Sequence, residues 1–446
     1  MKIYKIILFL LVLSIGFYIY QEYPRLNIIS GYAAKNMCSC MYEADRDPGF
    51  IEKTDNNFSP INIADYQIDD DTQRVTASVF GLMKRTAVYR EDLGCQLLVN
   101  NKKLKQYPPF PVPHNCPPPA PYPYGHEPQK DTIFKNINYE NLQRAVNNTF
   151  DKEGVDSLLT RAVLVIYKDH IIAEKYDNGF TKDSKILGWS MTKSLLATLF
   201  GVLDKEGKIN LNANHLFPEW ENDERADITL NNLLQMSSGL EWEENYNEIS
   251  DVTNMLFLNE DMTKTQLLKP LQFPIGDHWN YSSGTTNLLS GYLRNQFENY
   301  QDYLDFPVKH LYDKLALKSM SMELDLAGNY VGSSYGWATP RDWAKIGLLY
   351  LHKGNWNGTQ ILNESWVDYV STPCKNSNGE YGAHFWLNAG GIYPDVPKTI
   401  FSMNGYQGQR VFIIPSKEMV VVRMGLTEGS KFDFNKMLKE IIININ

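Results

Sequence analysis

Two pairs of short runs rich in β-branched and aromatic residues sit at opposite ends of the stretch that follows Asp131. The first pair covers 162–167 and 171–176, with the polar Lys168 and Asp169 as its turn; the second covers 410–414 and 419–424, around Pro415, Ser416 and Lys417. Each pair predicts a β-hairpin. Between them the apolar spacing is helical over 193–203, 230–236, 285–295 and 341–353, the last with Thr339 as N-cap and Pro340 at the first helical position. Another helix is predicted over 138–150. Strands at both ends with helices between them restrict this part of the chain to an α+β fold, with one antiparallel sheet built from its two ends. No internal repeat is present.

The preceding region reads differently. From about residue 24 to 130 there are short alternating segments, such as 74–80 and 95–99, without long helical periodicity, which predicts a small accessory region. It closes on Pro108, Pro109, Pro111, Pro113, Pro117, Pro118, Pro119, Pro121 and Pro123. That density of proline blocks helix and sheet ladders and favours an extended linker or wrapping arm. The interleaved Phe110, Tyr122 and Tyr124 suit packing on a neighbouring domain. At the extreme N-terminus, Lys2 and Lys5 precede an uncharged, mostly apolar run over 6–20. This run is shorter than the roughly 20 residues that span a bilayer comfortably. No small-residue cleavage site follows before Gln21, Glu22 and Pro24, so a cleaved signal peptide and a retained membrane anchor both stay open. In either case the basic flank stays cytoplasmic and the rest is expected to be exported, to a periplasmic or other extracytoplasmic location. The expected organisation is a signal or anchor over 1–24, an accessory region over 25–130 and an α+β domain over 131–446.

Composition removes several classes of function. With 43% hydrophobic and 21% charged residues among 446, the chain is neither disordered, collagen-like nor a multi-span membrane protein. Its 43 basic against 52 acidic residues, a formal charge of -9, argue against a nucleic-acid partner. Cys38, Cys40, Cys95, Cys116 and Cys374 lack paired C-x-x-C spacing, and the eight histidines lack His-Glu-x-x-His or His-x-His spacing, so neither a structural nor a catalytic metal is expected. Four of the cysteines precede residue 120, which allows one or two bridges there in an oxidising compartment. No cofactor is called for, and no obligate protein partner is evident.

Three segments carry candidate chemistry. Ser190-Met-Thr-Lys193 is followed by Leu195, Leu196, Leu199, Phe200, Val202 and Leu203 at helical spacing. A helix opening at Ser190 puts the hydroxyl and the amine one turn apart, where the amine can take the hydroxyl's proton. The positive end of that helix disfavours a charged Lys193 and stabilises nearby negative charge. The motif alone is too common to mean anything. A second segment, Trp279-Asn-Tyr-Ser-Ser-Gly284, supplies Tyr281, a phenol that beside a cation can relay protons. A third, Asn404-Gly-Tyr-Gln-Gly-Gln-Arg410, runs into a strand, and the backbone N–H of Gln409 together with that of Ser190 would make an oxyanion pair. Gly332-Ser-Ser-Tyr-Gly336 also fits Gly-x-Ser-x-Gly, but a nucleophile elbow needs a buried strand before the serine and a helix straight after it, which the surrounding sequence lacks.

Taken together, the three segments resemble the penicillin-recognising serine hydrolases: class C β-lactamases, DD-peptidases, related esterases and 6-aminohexanoate-dimer hydrolases. The likeness covers about 140–446. Supporting landmarks are Thr229-Leu-Asn-Asn-Leu-Leu-Gln-Met-Ser-Ser-Gly239, Gly336-Trp-Ala-Thr-Pro-Arg-Asp-Trp343 with the helix after it, Trp356-Asn-Gly358 and Glu364-Ser-Trp366. The resemblance implies a serine β-lactamase/DD-peptidase-like fold with a mostly helical subdomain, Ser190 as acylated nucleophile, Lys193 as its base and Tyr281 as proton-transfer partner. Two departures bear on substrate. Where the β-lactamases have Tyr-x-Asn this chain has Tyr281-Ser-Ser283, and where they carry Lys or His before Thr-Gly it has Tyr406-Gln-Gly408. A substrate-holding amide and a carboxylate-binding cation are both lost. The expected substrate is therefore a small ester or amide, with Ser283, Tyr406, Gly408, Trp242 and Trp386 as contacts. The alternatives are a cell-wall D-Ala-D-Ala carboxypeptidase or β-lactamase, and a non-catalytic sensor or binding module.

Overall fold

The computed structural model of the chain describes residues 2–99, 104, 111–112, 114–115, 118–125, 127–152, 157–429 and 431–445. Pro108, Pro109, Phe110, Pro113, Cys116 and Pro117 lie outside the described residues. The chain divides into two units, one of Met1–Lys105, Glu243–Met262 and Asp325–Ala327, the other of Gln106–Trp242, Thr263–Leu324 and Gly328–Asn446.

In the first unit, helix α1 (Lys2–Cys38) runs unbroken through Pro24, so the boundary expected near residue 24 falls inside one helix. Its two halves differ. Tyr4, Ile7, Leu8, Phe9, Leu10, Leu11 and Phe17 are exposed, whereas Ile29, Ala33, Ala34 and Met37 are buried. Among the described residues, no helix is long and apolar enough to cross a membrane. Four antiparallel strands follow in chain order: β1 (Ala64–Asp69), β2 (Arg74–Val79), β3 (Leu82–Arg90) and β4 (Gly94–Leu97). Val75, Ala77 and Val79 alternate into the core, the period-two pattern of a half-buried strand, and α1 packs on β2 and β3. A Cys38–Cys95 disulfide ties the end of α1 to β4. The helix Asp251–Leu258 joins this unit through Phe257, whose ring lies 5.6 Å from that of Tyr32. The accessory unit thus recruits two downstream segments that its expected limits, 25–130, did not include.

The proline-rich arm belongs to the second unit instead, because its aromatic and amide side chains find partners there. Tyr122 Oη donates to the Arg341 carbonyl at 3.0 Å, Tyr124 Oη to Asp169 at 2.8 Å, and Gln129 Oε1 accepts the Ile171 N–H at 2.8 Å.

The second unit is built as its two hairpins predict. After α2 (Tyr139–Asn147) come β5 (Thr160–Tyr167) and β6 (His170–Tyr176), whose turn residues Lys168 and Asp169 both have positive φ, the backbone a two-residue hairpin requires. Helices α3 (Met191–Lys205), α4 (Ser283–Arg294) and α5 (Pro340–Leu351) occupy the middle. Strands β7 (Trp386–Leu387), β8 (Phe401–Gly405), β9 (Gln409–Ile414) and β10 (Met419–Gly425) precede α6 (Phe434–Ile442). The six-stranded sheet has the order β7-β8-β9-β10-β5-β6, every pair antiparallel, with Val421 opposite Val165. Both its faces are covered. Leu142 and Val146 of α2, with Leu438 and Ile441 of α6, pack on Val165, Phe412 and Val421, while Gly347 of α5 lets that helix sit directly on Val411 and Val420. That accounts for the apolar runs 162–167 of β5 and 419–422 of β10. Helix α3 is buried from Met191 through Leu203, and its buried polar side chains Thr192, Lys193, Ser194 and Thr198 are all hydrogen-bonded.

Candidate active site

Ser190 occupies the N-cap of α3, and its side chain makes no capping hydrogen bond. A serine in that position ordinarily accepts from the first-turn N–H groups. Here its backbone is already helical, with φ -64° and ψ -7°, and Oγ is left to the amine one turn on. Lys193, 1% exposed, places Nζ 3.0 Å from Ser190 Oγ, 2.9 Å from Ser283 Oγ and 2.9 Å from the Ser333 carbonyl oxygen. This set of partners serves both protonation states. An ammonium has three protons for three acceptors. A neutral amine donates to Ser283 and to the Ser333 carbonyl, and its lone pair then faces the Ser190 hydroxyl.

Tyr281 completes the group. Its ring centroid is 4.9 Å from Lys193 Nζ, a cation–π distance, and the ring packs against Trp386 at 5.3 Å and Tyr381 at 6.0 Å. Trp279 and Met236 extend this aromatic wall. On the other side Trp189, whose φ of 48° is strained for a bulky residue, is held between Tyr335 at 6.1 Å and Tyr406 at 5.7 Å. Gly405, at the end of β8, lies against the Gly188 carbonyl so closely that a Cβ would come within 2.0 Å of it. The strand end and the Ser190 turn therefore touch backbone to backbone.

The three distant segments are thus brought together, with Ser190 half-buried rather than sealed. Several expected contacts take other roles. Gln409 does not offer an oxyanion donor: its N–H closes the short turn Tyr406–Gly408 by donating to the Tyr406 carbonyl, and its side chain is tied to Gly425. Ser283 is fully buried and faces the amine, not the open side of the site. Trp242 is buried behind Gly284, where a Cβ would meet its ring at 2.4 Å, so it packs the base of α4. Gly408 backs onto the guanidinium of Arg423. Tyr406, 38% exposed, and the half-buried Trp386 remain beside the site.

Sequence reasoning missed three groups. The Gly332–Gly336 segment supplies no nucleophile, yet its Ser333 carbonyl is a ligand of the amine, and main-chain carbonyls have no residue signature. Arg423 stands alone in the apolar run Met419–Gly425, and a lone cation in a strand of this kind is a signal visible in the sequence. The third is His384, 2% exposed, whose Nδ1 donates to the Leu234 carbonyl at 2.7 Å and whose Nε2 faces Thr286 Oγ1 of α4 at 3.1 Å. Its own carbonyl accepts Ser194 Oγ of α3 at 2.6 Å, so one residue ties both helices that carry the site.

Burial, helped by the nearby Lys193 charge and opposed by the Leu234 carbonyl, pushes the His384 imidazole down from 6.5 to about 4. The unfolded chain therefore binds a proton on this residue between those values and the folded chain does not. Stability is full above pH 6.5 and falls as pH drops towards 4, by about 3 kcal/mol. His384→Gln is expected to flatten that part of the stability–pH curve in urea unfolding. An unchanged acid limb would remove His384 as its source.

A six-stranded antiparallel sheet with a serine and a lysine one turn apart at the head of a buried helix defines a serine hydrolase of the β-lactamase fold. Residues 147–442 match the family model described as Beta-lactamase, and the chain belongs to that family. It is 22% identical over 327 residues to the 6-aminohexanoate-dimer hydrolase of Paenarthrobacter ureafaciens, covering 65% of this chain and 81% of that protein. Among solved structures it is similar to a putative 6-aminohexanoate-dimer hydrolase from Bacillus anthracis, with a TM-score of 0.54, 20% identity and coverage of 64% of this chain and 78% of that one. A family VIII carboxylesterase matches with a TM-score of 0.55, 15% identity and coverage of 69% and 97% respectively.

Proposed function

We propose that this hydrolase cleaves small uncharged esters or amides through an acyl-enzyme on Ser190. The observation that carries the reading is the Lys193 amine, held by Ser283 and the Ser333 carbonyl with its third position on Ser190 Oγ. Ser190 Oγ attacks the substrate carbonyl carbon while its proton passes to Lys193. The oxyanion develops beside the N–H of Ser190, which precedes the first helical turn and has no helical partner. Collapse breaks the bond to the leaving group, which takes a proton relayed from Lys193 through Tyr281. Water then attacks the acyl-enzyme by the reverse proton path and releases the acid.

The choice of substrate class is supported by what surrounds the serine. Tyr406-Gln-Gly408 presents no cation where a β-lactam carboxylate would be bound, and Ser283 faces the amine, so no side-chain amide takes its place. The side chains beside the site, Tyr281, Trp386 and Tyr406, are all aromatic. A fluorophosphonate probe tests the mechanism: wild type is expected to label and Ser190→Ala is not. Labelling of neither would favour a binding module. Small p-nitrophenyl esters, nitrocefin and a D-Ala-D-Ala peptide, assayed side by side, test the substrate. Fastest turnover of the peptide with release of D-alanine would replace the esterase reading by a carboxypeptidase.

A further inference from the structure

The turn Tyr406–Gly408 has an unusual support. Arg423, in the middle of β10, is 0% exposed. Its Nη1 donates to the carbonyls of both Gln407 and Gly408 at 3.1 Å, and Nη2 to the Leu158 carbonyl at 2.7 Å and Thr160 Oγ1 at 2.8 Å. Nε reaches Thr160 Oγ1 at 3.2 Å, and Thr427 Oγ1 closes the set. The guanidinium also lies 4.4 Å from the centre of the Phe432 ring. Among the described residues no carboxylate pairs with it. The charge of Asp151 acts on it from a distance, but the Asp151 oxygens accept the N–H groups of Ser157, Leu158 and Leu159 instead, and the Leu158 carbonyl in turn meets Arg423.

A buried cation without a counter-ion is costly, and an apolar side chain of similar volume would fill the same space. What the guanidinium does that an apolar chain cannot is gather carbonyls. Gln407 and Gly408 both lie in the left-handed region, at φ 58° and 80°. Two successive residues in that conformation turn their carbonyls towards β10, where one fork of the arginine takes both. A Cβ at position 408 would stand 2.5 Å from Nη1, so the turn can settle on the arginine only with glycine there. The same turn carries Tyr406 onto Trp189, the residue before Ser190, and follows directly from Gly405, which abuts the Gly188 carbonyl.

We infer that Arg423 is a positioning residue: from β10 it fixes the Tyr406–Gly408 turn against the Ser190 turn and so sets the rate at which Ser190 is acylated. The inference rests on the reading of Ser190 as nucleophile. The test compares Arg423→Met, Arg423→Lys and Gly408→Ala with wild type, measuring the acylation burst and KM with a p-nitrophenyl ester together with Tm. Arg423→Met is expected to fold, having no charge to bury, yet to acylate roughly 10- to 100-fold more slowly at little-changed KM, the size expected of a small misplacement. Arg423→Lys should recover part of the loss, and Gly408→Ala should reproduce it from the front of the turn, leaving β10 intact. A wild-type acylation rate in Arg423→Met overturns the inference. Should that variant not fold, Gly408→Ala decides alone, and a wild-type burst there overturns it equally. Absence of fluorophosphonate labelling in wild type would instead bring down the nucleophile reading, an outcome these variants do not imitate.

Discussion

Lys193→Ala will leave a folded protein whose Ser190 acylates roughly a thousandfold more slowly than wild type, within the range for losing a general base. The loss is large because the amine is the group held against Ser190 Oγ, while its other neighbours, Ser283 Oγ and the Ser333 carbonyl, accept from it, and without it the Tyr281 phenol loses the cation beside its ring. Removing the amine also takes a donor from both buried oxygens, at a cost of up to about 1–3 kcal/mol each if water does not replace it. Tm should therefore fall, and the comparison belongs well below the variant's own transition. Stopped-flow measurement of the p-nitrophenol burst gives the acylation rate directly. A variant within tenfold of wild type would mean that the amine is an electrostatic neighbour only.

Tyr281→Phe is the second large effect, a fall of roughly 100-fold in turnover. The substitution keeps the ring that packs on Trp386 and faces Lys193, so it isolates the hydroxyl. Its size should depend on the leaving group. p-Nitrophenolate departs without a proton and will show little loss in acylation, whereas an alkyl alcohol or amine must be protonated as it leaves and will show the full loss. The measurement is kcat/KM across a series of esters with leaving groups of rising basicity. Equal loss across that series, or none, would reduce Tyr281 to a wall of the site.

Much of the fold could be read from the chain because local and global demands agree there. The hairpins over β5–β6 and β9–β10, the helix starting at Thr339-Pro340 and the helix behind Ser190 each follow from patterning that tertiary packing then reinforces. Helix α1 was not legible beyond residue 20, because its second half owes its helicity to packing on β2 and β3 rather than to periodicity. Ser190, Lys193 and Tyr281 were legible as residue types at the right spacing. What surrounds them was not. The Ser333 carbonyl, the closure of the Gln409 N–H onto Tyr406 and the joining of α3 to α4 by His384 are backbone or long-range contacts, and spacing along the chain holds no record of them.

The pairing of β10 with β5 fixes when this protein can first be assembled. Val165 and its partner Val421 lie far apart along the chain, so the centre of the sheet cannot close until the whole stretch between them has left the ribosome. Ending loops this long is slow, and until it happens the apolar runs of β5 stand uncovered. A chain cut short before β10 would lack the central partner of β5 and would yield no partly working enzyme, only a substrate for proteolysis.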